Sequence, residues 1–374
     1  MAKRLHIDAI QTAPPGKVTP PDQARSVSIF AAPSTVAVVA QTRFQVVLYY
    51  NPAGPDESPL TVAARVKESL STALPERPVL SGRLRKKEEE AAGGGRWEVK
   101  FNDAGVRLVQ ATAEVTMADV IESKEAHQLH AHLAYWEDLN MDRPDFSALF
   151  YIQVTQFEGD GYSIGVSCSL LLADPSFLTK FLISWAEIHT QMLTPPALLE
   201  SSMFHLSYFQ RRPDRPNRLR SIELSLSDDD SNRHPNATML FELRQRDSSP
   251  SYDAMAIACL REATARLKAR PVSEFVLIVS DHVGDLTVKT LQLASEYSSS
   301  TTTTVVELSD HVAYDVAWWD QLGMQELTLV PGNKPVHVSS QIVFDGKDGL
   351  VVVMIPESDA RLMISVTLPN NSSV

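Results

Sequence analysis

A chain of 374 residues is long enough for two ordinary domains with a core each, and 44% hydrophobic with 21% charged content is a globular composition. The net charge of −12 disfavours nucleic acid as a partner and gives no general attraction to anionic lipid, because acidic surfaces repel phosphate. Two cysteines, Cys168 and Cys259, exclude a disulfide framework and suit a reducing compartment; no apolar run reaches bilayer length, and residues 1–10 hold no signal-like stretch. The expectation is a cytoplasmic protein without a transmembrane segment.

Residues 26–30 and 44–50 are β-branched and aromatic runs of strand type, and 51–58 is a turn-rich break. Val62, Val66, Leu70, Ala73 and Leu74 recur at helical spacing, which predicts a helix over 60–74 that Pro75 and Pro78 stop. Residues 79–84 read as an edge strand before an acidic, glycine-rich loop at 88–95. Residues 97–101 and 106–109 read as strands about a turn at 102–105. From Tyr151 the pattern is strand, tight turn, strand, then a loop into a helix over 177–192. Prolines, arginines, serines and aspartates crowd 194–237, densely acidic at 225–231, which reads as a partly mobile crossover.

The second half repeats the theme. Residues 239–243 predict a strand, 254–269 a helix and 272–279 a buried strand. Leu286, Thr290, Leu293 and Ala294 share a helical face, so 286–297 reads as a helix, followed by a solvated Ser/Thr tract at 298–304. Residues 336–344 and 349–355 read as strands joined into a hairpin by Asp345-Gly-Lys-Asp348. Two α/β halves follow, each a mixed β-sheet covered by helices: an N-terminal domain at 1–193, a crossover linker at 194–237 and a C-terminal domain at 238–374.

Within the strand-turn-strand segment, Ser-Cys-Ser-Leu170-Leu-Leu-Ala-Asp174-Pro is the most informative stretch. It resembles the core of the plant BAHD acyltransferases, acyl-CoA-dependent enzymes whose signature is His-x-x-x-Asp. Asp174 stands at the aspartate, and Leu170 at the histidine. The likeness extends over about the first 200 residues, through Leu80-Ser-Gly-Arg-Leu84, Asn102-Asp-Ala-Gly-Val-Arg-Leu-Val109 and the helix ending in Trp185-Ala186. In the second half Asp315 and Trp318 align with the aspartate and tryptophan of the family's structural Asp-Phe-Gly-Trp-Gly motif, while Val316 and Ala317 replace its phenylalanine and glycine. The family's Tyr-x-Gly-Asn segment has no counterpart, and the missing length falls between 243 and 314.

The resemblance implies a two-domain chloramphenicol-acetyltransferase-like fold. It implies that a histidine at 170 would take a proton from the acceptor, work that leucine cannot do. Asp174 is expected to orient its loop with an arginine partner, and Pro175 to stiffen that loop. The pattern is most similar to the eceriferum/glossy-type branch. That branch implies a non-catalytic accessory or acyl-binding factor beside a fatty-acid elongase condensing enzyme, in very-long-chain fatty-acid and cuticular wax synthesis. Acyl-CoA would be its ligand or co-substrate, no further cofactor is required, and its place would be peripheral to the endoplasmic reticulum. The alternatives are an active acyl-CoA-dependent transferase with a displaced base or an amine acceptor, and a paralogue without a biochemical role.

Other groups are candidate bases or ligands. His282, between Asp281 and Asp285, is either a relocated base or a solvated turn histidine. His189 lies where a helix dipole favours a cation. His127, His130 and His132 lack a fourth ligand for a metal and read as solvated helix-end residues, so no metal site is expected. Cys168 and Ser169 are nucleophiles only with a base beside them. Trp318 and Trp319 read as domain-packing residues. Asn236-Ala-Thr238 matches a glycosylation sequon and carries little without a secretory signal.

Overall fold

Two strands open the chain, β1 (Lys3–Ala13) and β2 (Ala24–Phe30), and they enter different sheets. A computed structural model describes residues 3–52, 59–87, 97–123, 126–159, 161–193, 218–224, 236–243, 251–281, 284–293, 314–355 and 361–369. Helix α1 (Pro33–Gln41) begins on a proline, whose fixed φ suits a first turn, and ends at extended Thr42. In β3 (Arg43–Tyr50), Phe44, Val46, Leu48 and Tyr50 enter one core cluster while Val47 and Tyr49 enter another. That is a central strand, buried on both faces.

Helix α2 (Pro59–Ala73) buries Val62, Val66, Leu70 and Ala73, as the periodicity predicts. Only part of the expected edge strand at 79–84 is extended: a 3-10 turn at Pro78–Ser81 precedes β4 (Arg83–Lys86). Next come β5 (Trp97–Lys100), β6 (Val106–Ala113), α3 (Met117–Ile121) with a Thr116–Asp119 capping box, and α4 (Ala126–Leu133). The strands β7 (Phe150–Gln156) and β8 (Tyr162–Ser169) form the expected antiparallel pair and lead into α5 (Pro175–Met192). Gly165 of β8 lets the chain pass under α4, since a Cβ there would lie 1.7 Å from the Leu133 carbonyl oxygen.

The chain continues with β9 (Arg220–Leu224), β10 (Ala237–Leu243), α6 (Tyr252–Arg266) and β11 (Glu274–Ser280). The remaining strands are β12 (Leu286–Gln292), β13 (Tyr314–Ala317), β14 (His337–Val343), β15 (Gly349–Met354) and β16 (Leu362–Leu368). One sheet has seven strands in the order β14-β3-β8-β7-β6-β1-β9, and the other nine in the order β13-β10-β16-β15-β11-β12-β2-β5-β4. Both are mixed, with parallel pairs at β6–β7 in the first and at β11–β15 and β12–β2 in the second. The largest core cluster joins the inner faces of both sheets through α2 and α5; a second lies under α3 and α4, and a third under α6. The two-sheet α/β architecture is the one expected.

Three details differ. Residues 286–292 form a strand, because β12 is hydrogen-bonded on both sides, to β11 and β2, and positions four apart share a face in a strand as in a helix. The expected hairpin about Asp345-Gly-Lys-Asp348 is absent: β14 pairs with β3 in the first sheet, and β15 with β11 and β16 in the second. The partition at 194–237 follows chain order, whereas hydrogen bonding does not. β2, β4 and β5 lie in the nine-stranded sheet, β14 lies in the seven-stranded sheet, and β9, inside the expected linker, pairs with β1. The loop at 88–95, the acidic run at 225–231 and the tract at 298–304 lie outside the described residues. Among the described residues no helix is long and apolar enough to cross a membrane.

Candidate functional site

The loop from β8 to α5 is held by backbone before any side chain acts. Ser169 N–H donates to the Leu149 carbonyl at 2.8 Å and Leu170 N–H to the Thr42 carbonyl at 3.1 Å. Leu170 to Ala173 are buried, each at 1% exposure or less. Asp174 then caps the helix, its Oδ1 accepting from Phe177 N–H at 2.9 Å, with Pro175 at the first helical position. Burial pushes the Asp174 carboxyl up; the Phe177 and Ser176 amides and the Arg25 charge oppose the shift.

Arg25 holds the same loop through its main-chain carbonyls, and reaches Asp174 only through its charge. Its Nη1 donates to the Leu172 carbonyl at 2.8 Å and the Leu171 carbonyl at 3.4 Å, its Nη2 to Ser280 Oγ at 3.0 Å, and its Nε to the Gly284 carbonyl. One guanidinium thus ties the degenerate loop to the β11–β12 turn, where Asp285 accepts from Ser26 N–H at 3.0 Å and Asp281 from Asp285 N–H at 2.8 Å. Burial lowers the Arg25 pKa, against which Asp174, Asp285 and Asp281 act.

Between this loop and the inner face of the nine-stranded sheet is a cavity of about 750 Å3. Ile278, Leu286, Val352 and Leu170 supply apolar wall; Glu76, Arg77, Asp174, Lys180, Asp281 and Asp285 supply charge. Arg77 lies over the Phe177 ring at 5.2 Å. Leu170 is where the resemblance places a histidine, and no described residue of the lining is a histidine. The arrangement can hold a molecule with an apolar body and an anionic part, beside a carboxyl group already engaged as a helix cap.

The other candidate residues do not converge on this cavity. His282 lies outside the described residues, although Asp281 and Gly284 on either side line the wall. His189 is not a dipole-favoured cation: it is 3% exposed, its Nδ1 is 2.8 Å from Ser69 Oγ, and burial, helped by the Arg65 charge, pushes it down to about 4. His130 is buried rather than solvated, with Nδ1 2.6 Å from Ser339 Oγ, while His132 is exposed and the His127 side chain lies outside the described residues. Among the described residues no three His, Cys, Asp or Glu side chains gather to hold a metal. Cys168 and Ser169 are fully buried, the thiol pushed up by burial and the hydroxyl accepting from Leu171 N–H. Asp315 is exposed on β13 and Trp318 is 68% exposed, so the packing role belongs to Trp319, stacked on Phe44 at 5.1 Å.

Residues 18–249 match the family described as "Transferase family". The protein ECERIFERUM 26-like of Arabidopsis thaliana is 25% identical over 348 residues, which cover 81% of this chain and 80% of that one. Putrescine hydroxycinnamoyltransferase 3 of Oryza sativa subsp. japonica is 25% identical over 244 residues, covering 64% of this chain and 51% of its own. Hydroxycinnamoyl-CoA:piscidic acid hydroxycinnamoyltransferase of Actaea racemosa is 29% identical over 175 residues, 46% of this chain and 36% of its own. The crystal structure of vinorine synthase superposes with a TM-score of 0.48 at 15% identity over 98% of this chain and 95% of that one.

Proposed function

From the premise that this chain belongs to the Transferase family, the BAHD acyltransferases, we propose that it is a non-catalytic accessory or acyl-binding factor in very-long-chain fatty-acid elongation. One observation carries the reading: buried Leu170 stands in the wall of an open cavity while Asp174 still caps its helix. The fold keeps the space for a ligand, and the position of the base is occupied by a group that cannot titrate. The ligand is an acyl-CoA, its acyl chain against Ile278, Leu286 and Val352 and its anionic part toward Arg77 and Lys180. The partner is a condensing enzyme of the elongation complex, and the place is the cytoplasmic side of the endoplasmic reticulum. The likeness to ECERIFERUM 26-like supports this branch.

A second reading, an active acyl-CoA-dependent transferase, draws on the likeness to a putrescine hydroxycinnamoyltransferase. An amine acceptor needs less help from a base than an alcohol, and holding it beside a thioester supplies much of the rate.

Coenzyme A release from a panel of acyl-CoAs, with alcohol and amine acceptors, separates the two. The non-catalytic reading expects binding without turnover by the wild type, and turnover by Leu170→His. Turnover by the wild type overturns it, and a loss of that turnover in His282→Ala would identify the displaced base.

A further inference from the structure

Far from the cavity, three neighbouring strands carry a hydrogen-bonded chain of side chains. His6 on β1 is 1% exposed. Its Nδ1 is 2.8 Å from Ser221 Oγ on β9, and its Nε2 is 2.9 Å from Glu114 Oε1, just beyond β6. The register places these groups together: His6 is the cross-strand partner of Ser221 on one side and of Thr112 on the other, and Glu114 N–H donates to the Arg4 carbonyl at 2.8 Å.

The protons of this chain follow from its chemistry. The hydrogen bond from His6 holds the Glu114 carboxyl below its usual range, with the charges of Arg218 and Arg4 acting in the same direction. An ionised carboxylate only accepts, so Nε2 carries the hydrogen. In the neutral ring Nδ1 is then a bare lone pair, and the Ser221 hydroxyl donates to it. A hydroxyl on a bare imidazole nitrogen, with a carboxylate fixing the other nitrogen, is the arrangement of nucleophile, base and orienting group. β9 is an edge strand and Ser221 is exposed, so a reagent can reach the oxygen.

A second serine–histidine pair shows what is particular here. Ser69 and His189 are also 2.8 Å apart, but Ser69 is 1% exposed and its oxygen also accepts from Trp185 Nε1. Among the described residues that ring has no carboxylate partner, and it titrates at about 4. The distance alone does not make a reactive hydroxyl.

We propose that Ser221, His6 and Glu114 form a second, covalent centre that takes acyl groups from small activated carboxylic esters. Ser221 Oγ attacks the carbonyl carbon as its proton passes to His6 Nδ1, and Glu114 holds the imidazolium that forms. The bond from the carbonyl carbon to the leaving oxygen breaks, and His6 returns the proton to the departing alcohol. Water, deprotonated by the same nitrogen, cleaves the acyl-serine and restores the hydroxyl. Arg218, 4.0 Å from Glu114 Oε1, and Arg4 help to keep that carboxylate ionised. This centre is independent of the acyl-CoA reading.

The test is p-nitrophenyl acetate on the full chain at neutral pH, followed by peptide mapping. The expected result is a burst of p-nitrophenolate close to one per protein and one acetyl group on Ser221. Ser221→Ala should remove both, and Glu114→Gln should slow the burst by about tenfold or more at unchanged fold. Should Ser221→Ala not fold, Ser221→Cys keeps the position measurable and is acetylated on sulfur. No burst from the wild type, or acetylation that maps elsewhere and survives Ser221→Ala, would overturn the proposal.

Discussion

The loop after β8 and the face shared by β1, β6 and β9 are complementary in what they hold. Around Leu170 there is a large cavity, a capped helix and an arginine that binds both sides, but a leucine at the position of the base. Around His6 there are a base, a carboxylate and an exposed hydroxyl, on an edge strand rather than in a pocket. Volume and proton chemistry are thus supplied by separate parts of the molecule, the one against the nine-stranded sheet and the other on the seven-stranded sheet. A fold can lose one at a given place without disturbing the other, because cavity walls rest on packing and a relay rests on register.

The contrast breaks most forcibly at position 170. Leu170→His should raise coenzyme A release by about 10²–10⁴-fold over the wild type, the usual contribution of a positioned base. An unchanged rate would mean that the cavity lacks more than its base.

The pair at His189 sharpens the comparison through pH. Its folded value of about 4 lies below the unfolded value of about 6.5, so in that window the unfolded chain binds the proton and the native one does not. Stability should therefore fall by about 3 kcal/mol as pH drops from about 6.5 to about 4. Urea midpoints across that range would show it, and His189→Gln should flatten the slope. Glu114 is shifted in the same direction for a different reason, a hydrogen bond that favours its charged form, and its stabilisation is present above its unfolded value and is lost as pH falls through the folded one.

Arg25→Ala should cost about 2–3 kcal/mol in chemical denaturation, since charged donors to the Leu172 carbonyl and Ser280 disappear together. Arg25→Lys should recover only part, because an ammonium cannot reproduce the fork. Least disruptive is the cap itself. Asp174→Ala should cost about 1 kcal/mol, whereas Asp174→Asn should stay within about 0.5 kcal/mol of the wild type. A larger loss in Asp174→Asn would show that the charge near Arg25, rather than the cap, matters at that position.

Much of the fold was legible where period and punctuation agree. Val62, Val66 and Leu70 marked α2, and the alternation and turn from Tyr151 to Ser169 marked the hairpin of β7 and β8. Elements decided by distant partners were not legible. β12 looks helical until β2 is known to lie beside it, and the strands flanking Asp345-Gly-Lys-Asp348 look like a hairpin until each is seen in its own sheet. Leu170 and Asp174 stood out because their spacing is local. The arginine that holds their loop is 147 positions from Leu172, and His6 and Ser221 are separated by 215, so neither association leaves a local pattern. Adjacent tryptophans divided their roles for a similar reason: only the partner ring of Phe44 distinguishes Trp319 from Trp318.

The exchange of strands between sheets also governs how the protein can be made. β3 has β8 on one side early in synthesis, but its other edge stays open until β14 is translated nearly 300 residues later, pairing Tyr49 with His337. β2 likewise waits for β12. A nascent chain therefore carries unpaired, apolar strand edges for most of its time on the ribosome, a state open to mispairing with other chains. Cutting the gene between the apparent halves would prolong that state indefinitely. Expression of either half alone should give aggregates, and co-expression of both should give soluble protein.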